Sequence, residues 1–283
     1  MKKRISLLLV IVMSLAMMLS GCSSSSKASS GSDAEGGEFR VGMECGYAPF
    51  NWTQSDDSNG AVKIDGNDEY AGGYDVQIAQ KIADGLGKKL VIVKTEWDGL
   101  VPAVQSGKID AIIAGMSPTA ERKKTIDFTD VYYTSDLVMV VKKGGDYENA
   151  TKLSDFKGAT ITGQLNTFHY TVIDQIDGVN KDTAMDNFPA MRVALESGKI
   201  DGYVSERPEG VSATAANDNF AMVEFEEGEG FETSDEDTAI AVGLAKDSEL
   251  KDKINEILKG ISEDERLKLM DEAIANQPAS EEK

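Results

Sequence analysis

Apolar and polar residues alternate along Phe39-Arg40-Val41-Gly42-Met43, the period of a strand with one face on a core. Gly73 to Gly87 instead spaces its apolar residues at helical intervals and ends on glycine, a stop signal. Leu90 to Val93 is a short apolar, β-branched run that predicts a strand. Trp97 to Gln105 predicts a helix ended by Gly107, and the apolar run Ile109 to Ala114 a strand covered on both faces. The pattern then recurs. Ala159 to Thr162 predicts a strand, Thr167 to Ile176 a helix, Pro189 to Glu196 another helix and Ile200 to Val204 another strand. Strands alternating with helices argue for an α/β chain whose sheets are mainly parallel.

The recurrence is also literal. Residues 103–110 read AVQSGKID and residues 194–201 read ALESGKID. Each is a helix end, a Ser-Gly-Lys turn and a strand start, so the chain is expected to hold two similar α/β units. Ligands of such sheets bind beyond the carboxyl ends of the strands. Those ends are Ala114-Gly115-Met116-Ser117 in the first unit and Ser205-Glu206-Arg207 in the second. Facing each other, they would make a cleft.

The side chains at the two ends differ in sign. Gly115 lets a ligand approach the backbone, Ser117 offers a hydroxyl, Thr119 can cap the helix that follows, and Arg122 lies one turn further on. Amide groups, a hydroxyl and a guanidinium together suit a carboxylate. In the second unit the strand ends in Glu206, and a buried carboxylate there would suit an ammonium. A cationic fork facing an anion matches an amino-acid zwitterion.

The amino terminus changes the picture of where this chemistry is displayed. Lys2-Lys3-Arg4 precedes an apolar run from Ile5 to Leu19, too short for a membrane span and of signal-peptide length. Leu19-Ser20-Gly21-Cys22 resembles a bacterial lipobox, so residues 1–21 are expected to be removed and Cys22 to carry lipid. Ser/Gly-rich residues follow, and 22–38 is expected to serve as a tether. Formal net charge is −20, and loss of Lys2, Lys3 and Arg4 makes it more negative, which disfavours nucleic acid as a partner. Cys45 is the one remaining thiol, which excludes an internal disulfide and a Cys-based metal site. No cofactor is expected.

The stretch WDGLVPAVQSGKIDAIIAGMSPTAERKKTIDFTDVYY resembles the polar amino-acid class of ABC-transporter solute-binding proteins. GMECGYAPFNW resembles that family's first strand and aromatic loop, and GGYDVQIAQKIADGLG its first helix. The resemblance runs from Phe39 to Gln277. It implies the type II periplasmic-binding-protein fold, two α/β lobes joined by two crossing hinge strands, here Leu137–Lys142 and Thr238–Ala245. Lobe one would comprise 39–139, lobe two 140–240, and 241–277 would return to lobe one with the C-terminal helices, leaving 278–283 as a tail. It implies that Ala114, Gly115, Ser117 and Arg122 contact the ligand's α-groups in lobe one. Thr167 would help hold the carboxylate from lobe two, and Glu206 the ammonium, where the family usually has Asp. Where Asn166 stands, the family usually has Gly. Tyr47 and Trp97 would form aromatic walls, and Glu44 and Gln164 would face the ligand's side chain. An acid beside an aromatic face favours a cation, so Arg or Lys is expected, with Gln the alternative.

The resemblance further implies a free amino acid as ligand, permease and ATPase subunits of an importer as partners, a monomer, and a secreted protein held by lipid at the outer face of the cytoplasmic membrane. An enzyme on the same fold, a dehydratase of a cyclic amino-acid-like substrate, and an amino-acid sensor are the alternatives. Gly115-Met116-Ser117-Pro118-Thr119 lacks the second glycine of a nucleophile elbow, and the chain has neither a His-Glu-x-x-His motif nor a phosphate-binding glycine loop. The reading is therefore non-enzymatic. His169, the single histidine, reads as a surface or packing residue, and Asn51-Trp52-Thr53 as a chance sequon.

Overall fold

The computed structural model of the protein describes residues 36–278. The expected signal segment 1–21, Cys22 and most of the expected tether lie outside the described residues, as do 279–283. At the tether's end, the Gly36 amide already donates to the Gly87 carbonyl at 3.2 Å.

In chain order the strands are β1 (Glu38–Met43), β2 (Gly46–Tyr47), β3 (Asn51–Gln54), β4 (Val62–Lys63), β5 (Tyr70–Gly72), β6 (Lys89–Lys94) and β7 (Ala111–Ile112). They continue with β8 (Asp127–Thr134), β9 (Leu137–Lys142), β10 (Thr160–Thr162), β11 (Asn180–Lys181), β12 (Gly202–Glu206), β13 (Phe220–Val223) and β14 (Ala239–Leu244). One five-stranded sheet has the order β6-β1-β7-β14-β8, and a second has β11-β10-β12-β9-β13. In the first, β1 runs parallel to β6, from Glu38 opposite Lys89 to Met43 opposite Lys94, and parallel to β7 on its other side. In the second, β10 runs parallel to β11 and β12. Both sheets end in two antiparallel strands. Among the three parallel strands of each sheet, the first in the chain thus lies between the second and third. Chain leaving its carboxyl end passes to opposite sides, the switch point where α/β sheets hold ligands. A small sheet, β2-β3-β5-β4, flanks this end of the first sheet.

Burial follows the alternation expected for β1: Phe39, Val41 and Met43 are all sealed from solvent. The helix Tyr74–Gly85 buries Val76, Ile78, Ala79, Ile82 and Ala83. The apolar run Ile109–Ala114 is buried throughout apart from Asp110, yet only Ala111 and Ile112 pair as strand. The helix expected over 167–176 is shorter than the periodicity suggests. It spans Phe168–Thr171 and tightens into a 3-10 turn over Val172–Gln175. Three successive β-branched residues, Thr171-Val172-Ile173, stand at the break, where crowding against the preceding turn disfavours α-helix.

The repeated octapeptide forms the same device twice. Gly107 and Gly198 adopt φ of +72° and +74°, the left-handed region where glycine ends a helix. The next amides turn back to the helix: Lys108 to the Ala103 carbonyl at 3.0 Å and Lys199 to Ala194 at 2.9 Å. Each closing aspartate then braces the neighbouring parallel strand. Asp110 accepts from the Arg40 amide at 2.8 Å, and Asp201 from the Thr160 amide at 2.7 Å.

The chain passes between the sheets twice. β8 ends in the first sheet and β9 begins in the second, so Ser135 and Asp136 make the first passage. Residues 224–238 make the return from β13 to β14. The strands expected to cross, Leu137–Lys142 and Thr238–Ala245, therefore each lie within a single sheet, and the turning points precede them. The two passages touch, the Ser135 amide donating to the Thr238 carbonyl at 3.1 Å. The helices Leu250–Lys259 and Glu263–Asn276 then pack on Tyr74–Gly85, with Lys81 Nζ 2.6 Å from Glu265 Oε1.

Because each brace is a charge-assisted bond to a strand amide, Asp110→Ala and Asp201→Ala should each cost about 1–2 kcal/mol. Urea unfolding of the two variants measures this. Parental midpoints would show that the turns are set by glycine alone.

Candidate functional site

Beyond the carboxyl end of β1 the chain is held by a buried polar network. The Cys45 amide donates to Asn51 Oδ1 at 2.8 Å, and Asn51 Nδ2 donates to Asp75 Oδ2 at 2.9 Å. Tyr132 donates its hydroxyl to Asp75 Oδ1 at 2.7 Å, and the Gly115 amide donates to the same carboxyl. Burial raises the Asp75 carboxyl to about 6, against the pull of these donors. One side chain at the start of the helix Tyr74–Gly85 thus fixes the loops after β1 and after β7.

Tyr47 sits on that platform. Its ring stacks between Phe50 and Phe188, at centroid distances of 4.9 and 4.4 Å. Phe188 opens the helix Phe188–Glu196 of the second lobe, so the stack crosses the cleft. Gly115 has φ of +61°, and a Cβ there would stand 2.6 Å from Tyr47 Cε1. Only glycine leaves room for the ring.

From the second lobe, Glu206 is the last residue of β12 and the N-cap of the helix Arg207–Ala216, whose first turn carries Pro208. Its carboxylate is buried and accepts the Tyr47 hydroxyl. His169 Nε2 lies 3.1 Å from Glu206 Oε1, ion-pair distance but off the line of a hydrogen bond, and its Nδ1 faces no partner. Burial drives the Glu206 carboxyl upward, but the charge of His169 and the donors around it outweigh this and leave it below its ordinary value. Gln164 Nε2 reaches across to Glu44, at 3.1 and 3.3 Å from the two carboxylate oxygens. Desolvation, opposed by the Gln164 bond and aided by the charges of Glu96 and Asp98, raises the Glu44 carboxyl to about 7.

Arg122 crosses as well. Nη1 donates to the Ser117 carbonyl at 2.9 Å, and Nη2 to the Asn166 carbonyl of the second lobe at 3.2 Å. The guanidinium lies over the Trp97 ring, 4.9 Å from its centroid. Burial lowers it to about 10, opposed by Glu206 and Asp237, so it stays protonated at neutral pH.

Tyr47, Trp97, Gly115, Ser117, Arg122, Gln164, Thr167, Phe168 and His169 line one cavity of about 10 Å³. That is at most the space of one water. An amino acid can enter only if the lobes part. Larger grooves, of about 760 Å³ beside Ile64 and about 610 Å³ beside the passages between sheets, open to solvent away from these groups.

Seven of the residues expected from sequence line the cavity directly. Glu44 and Glu206 reach it through Gln164 and Tyr47. Ala114 is buried behind Gly115 and is not in the lining. Ser117 and Thr167 spend their hydroxyls internally, on the Asp237 and Gln164 carbonyls at 2.8 and 2.7 Å. Thr119 caps no helix; its hydroxyl accepts from the Arg122 amide at 3.4 Å where a 3-10 turn begins. His169, read as a surface or packing residue, is buried and lines the cavity. Phe168, Phe188 and Asp75 were not singled out. The aromatic neighbours of Thr167 and Asn187 carry no motif, and a first-turn Asp reads as a solvated helix residue.

Residues 39–274 match the model of the family described as bacterial extracellular solute-binding proteins, family 3. The chain is 27% identical over 266 residues to the arginine-binding extracellular protein ArtP of Bacillus subtilis, covering 92% of this chain and 94% of that protein. A probable histidine-binding protein of Campylobacter jejuni is 32% identical over 195 residues, covering 68% of this chain and 70% of that protein. Among solved structures, an amino acid ABC transporter substrate-binding protein of Streptococcus pneumoniae bound to L-arginine has a TM-score of 0.74 at 28% identity. That match covers 84% of this chain and 94% of the other.

The buried carboxyls set a pH profile. Glu44 and Asp75 are raised in the folded state, to about 7 and about 6. Their contribution is fully present below the unfolded values near 4 and is lost as pH rises through 6 to 7. Glu206, held low, works oppositely: its contribution is lost as pH falls through its folded value. Stability should therefore decline from pH 5 towards pH 8. Glu44→Gln should recover about 1–3 kcal/mol at pH 8. Urea unfolding across pH checks this, and a monotonic rise from pH 5 to 8 would contradict it.

Proposed function

Because the chain belongs to the bacterial extracellular solute-binding proteins, family 3, we propose that it captures a basic amino acid, arginine or lysine, between its lobes and delivers it to an ABC importer. The family and the relatives are solute-binding proteins, not enzymes, which sets the dehydratase reading aside.

The observation that carries the basic ligand is Glu44. It is a buried carboxylate in the cleft, its bond is to an amide, and the other charges bearing on it are the negative ones of Glu96 and Asp98. A guanidinium or ammonium supplies the missing countercharge, and the half-buried Trp97 offers it a face. At the other end Arg122 takes the α-carboxylate, giving up the Asn166 carbonyl when the lobes part, with Ser117 and Thr167 beside it. Glu206, released from Tyr47, takes the α-ammonium. Tyr47, Gly115 and Gln164 wall the site. The two lobes, one around each five-stranded sheet, move about Ser135–Asp136 and 224–238. The chain works as a monomer, and the lipid on Cys22, with 22–38 as tether, keeps it beside the permease on the outer face of the membrane.

Titration calorimetry with arginine, lysine and glutamine tests the site. Arg122→Ala should abolish binding of all three. Glu44→Gln should weaken arginine by about 2–5 kcal/mol and glutamine much less. Below pH 7 a cation must displace the Glu44 proton, so arginine affinity should fall by up to about tenfold per pH unit, and glutamine affinity should not. Equal loss for every ligand in Glu44→Gln would remove the cationic reading.

Anchoring is tested separately. Cys22→Ser should release the protein from the membrane fraction while leaving ligand affinity unchanged. A variant that still fractionates as a lipidated species would overturn the anchor.

A further inference from the structure

Asn166 has φ of +56°, a left-handed backbone that non-glycine residues rarely adopt and that Asn tolerates best. From this turn it makes two bonds across the cleft. Its side-chain Nδ2 donates to Asp98 Oδ1 at 2.8 Å, and its carbonyl accepts from Arg122 Nη2 at 3.2 Å. Asp98 lies in the first turn of the helix Trp97–Gln105, on the opposite lobe. Glycine would take the same backbone without strain and keep the carbonyl, but it would lack the amide. The side chain is thus the part of Asn166 that the turn does not require.

The polar contacts across the cleft at the site itself use groups that the ligand needs. Tyr47 holds Glu206, Gln164 holds Glu44, and Arg122 holds a carbonyl. A bound amino acid competes with each of these. The Asn166–Asp98 bond does not belong to that set. Both side chains stand at the exposed rim, and neither lines the cavity. Their bond can persist with the site filled, and it forms only when the lobes are closed.

We propose that Asn166 is a latch: a positioning residue whose amide bonds Asp98 across the closed cleft, shifting the open–closed equilibrium and slowing ligand release whatever the ligand's side chain. A contact made only in the closed state shifts that equilibrium by its own free energy. For an exposed bond to a carboxylate, that corresponds to about three- to tenfold in population.

The affinity arm rests on the amino-acid reading, and the shape arm does not. Stopped-flow dissociation of arginine and glutamine and calorimetric titration are measured for Asn166→Gly, Asp98→Ala, the double variant and Asp98→Asn. Small-angle scattering of parent and Asn166→Gly is recorded without added amino acid. Asn166→Gly should speed release of both ligands by the same factor, about three- to tenfold. In the Asp98→Ala background it should have no further effect, because the partner is already gone. Asp98→Asn keeps an acceptor oxygen and should release glutamine, which carries no side-chain charge, nearly as slowly as the parent. Asn166→Gly alone should have a larger radius of gyration than the parent. Parental release rates in Asn166→Gly, or effects that multiply in the double variant, would overturn the latch. If the parent binds neither amino acid, the proposed function fails; scattering still decides the latch, and equal radii would overturn it.

Discussion

Glu206 is committed to its place before it has a partner. It ends a strand and caps a helix, so its carboxylate projects into the cleft from a backbone that cannot turn away. An unpaired carboxylate buried there would cost several kcal/mol. Its partners are the Tyr47 hydroxyl from the first lobe and the His169 imidazole, 3.1 Å away, from its own. The demand propagates. Tyr47 reaches Glu206 because Phe50 and Phe188 sandwich its ring and Gly115 leaves room beneath it. Gly115 is held by Asp75, and Asp75 by Tyr132 and Asn51. A single buried charge thus orders residues from both sheets.

The cavity is small because these groups satisfy one another. That arrangement makes a receptor out of a hinge. Each contact inside the cleft is a stand-in for one that the proposed ligand makes better: an amide on Glu44 in place of a cation, a phenol on Glu206 in place of an ammonium. The ligand gains only the difference between the two sets. Its differential affinity for the closed form, not the number of contacts it makes, decides how far it shifts the equilibrium. The aromatic sandwich of Tyr47 is worth about 1 kcal/mol beyond its buried area, so it biases closure without forcing it.

Much of this was legible in the residues. The strand β1, the helices Tyr74–Gly85 and Trp97–Gln105 and the repeated turn follow from period and glycine alone, since local sterics and one-sided burial decide them. The cationic fork and the opposing acid were legible because they sit at strand ends. His169 was not. It lies in the short helix Phe168–Thr171, and periodicity does not say that one of its faces turns to Glu206. Asp75 was hidden for another reason. A first-turn Asp looks like a solvated helix residue, and its burial follows from two loops, after β1 and after β7, that are distant in sequence.

The repeat also explains why two like units make an unlike site. Asp110 and Asp201 brace equivalent strands with equivalent bonds, so the two copies share a register. Five residues beyond each aspartate stand Gly115 in the first lobe and Glu206 in the second. One residue meets both. The Tyr47 ring packs against Gly115, at a distance no Cβ would allow, and its hydroxyl donates to Glu206. The same position thus supplies empty space in one lobe and a charge in the other. Symmetric acids would repel each other across a closed cleft, and symmetric glycines would offer no counterion. The scaffold is duplicated at its braced end and differentiated where the strands finish, and that asymmetry is what an asymmetric ligand, cationic at one end and anionic at the other, requires.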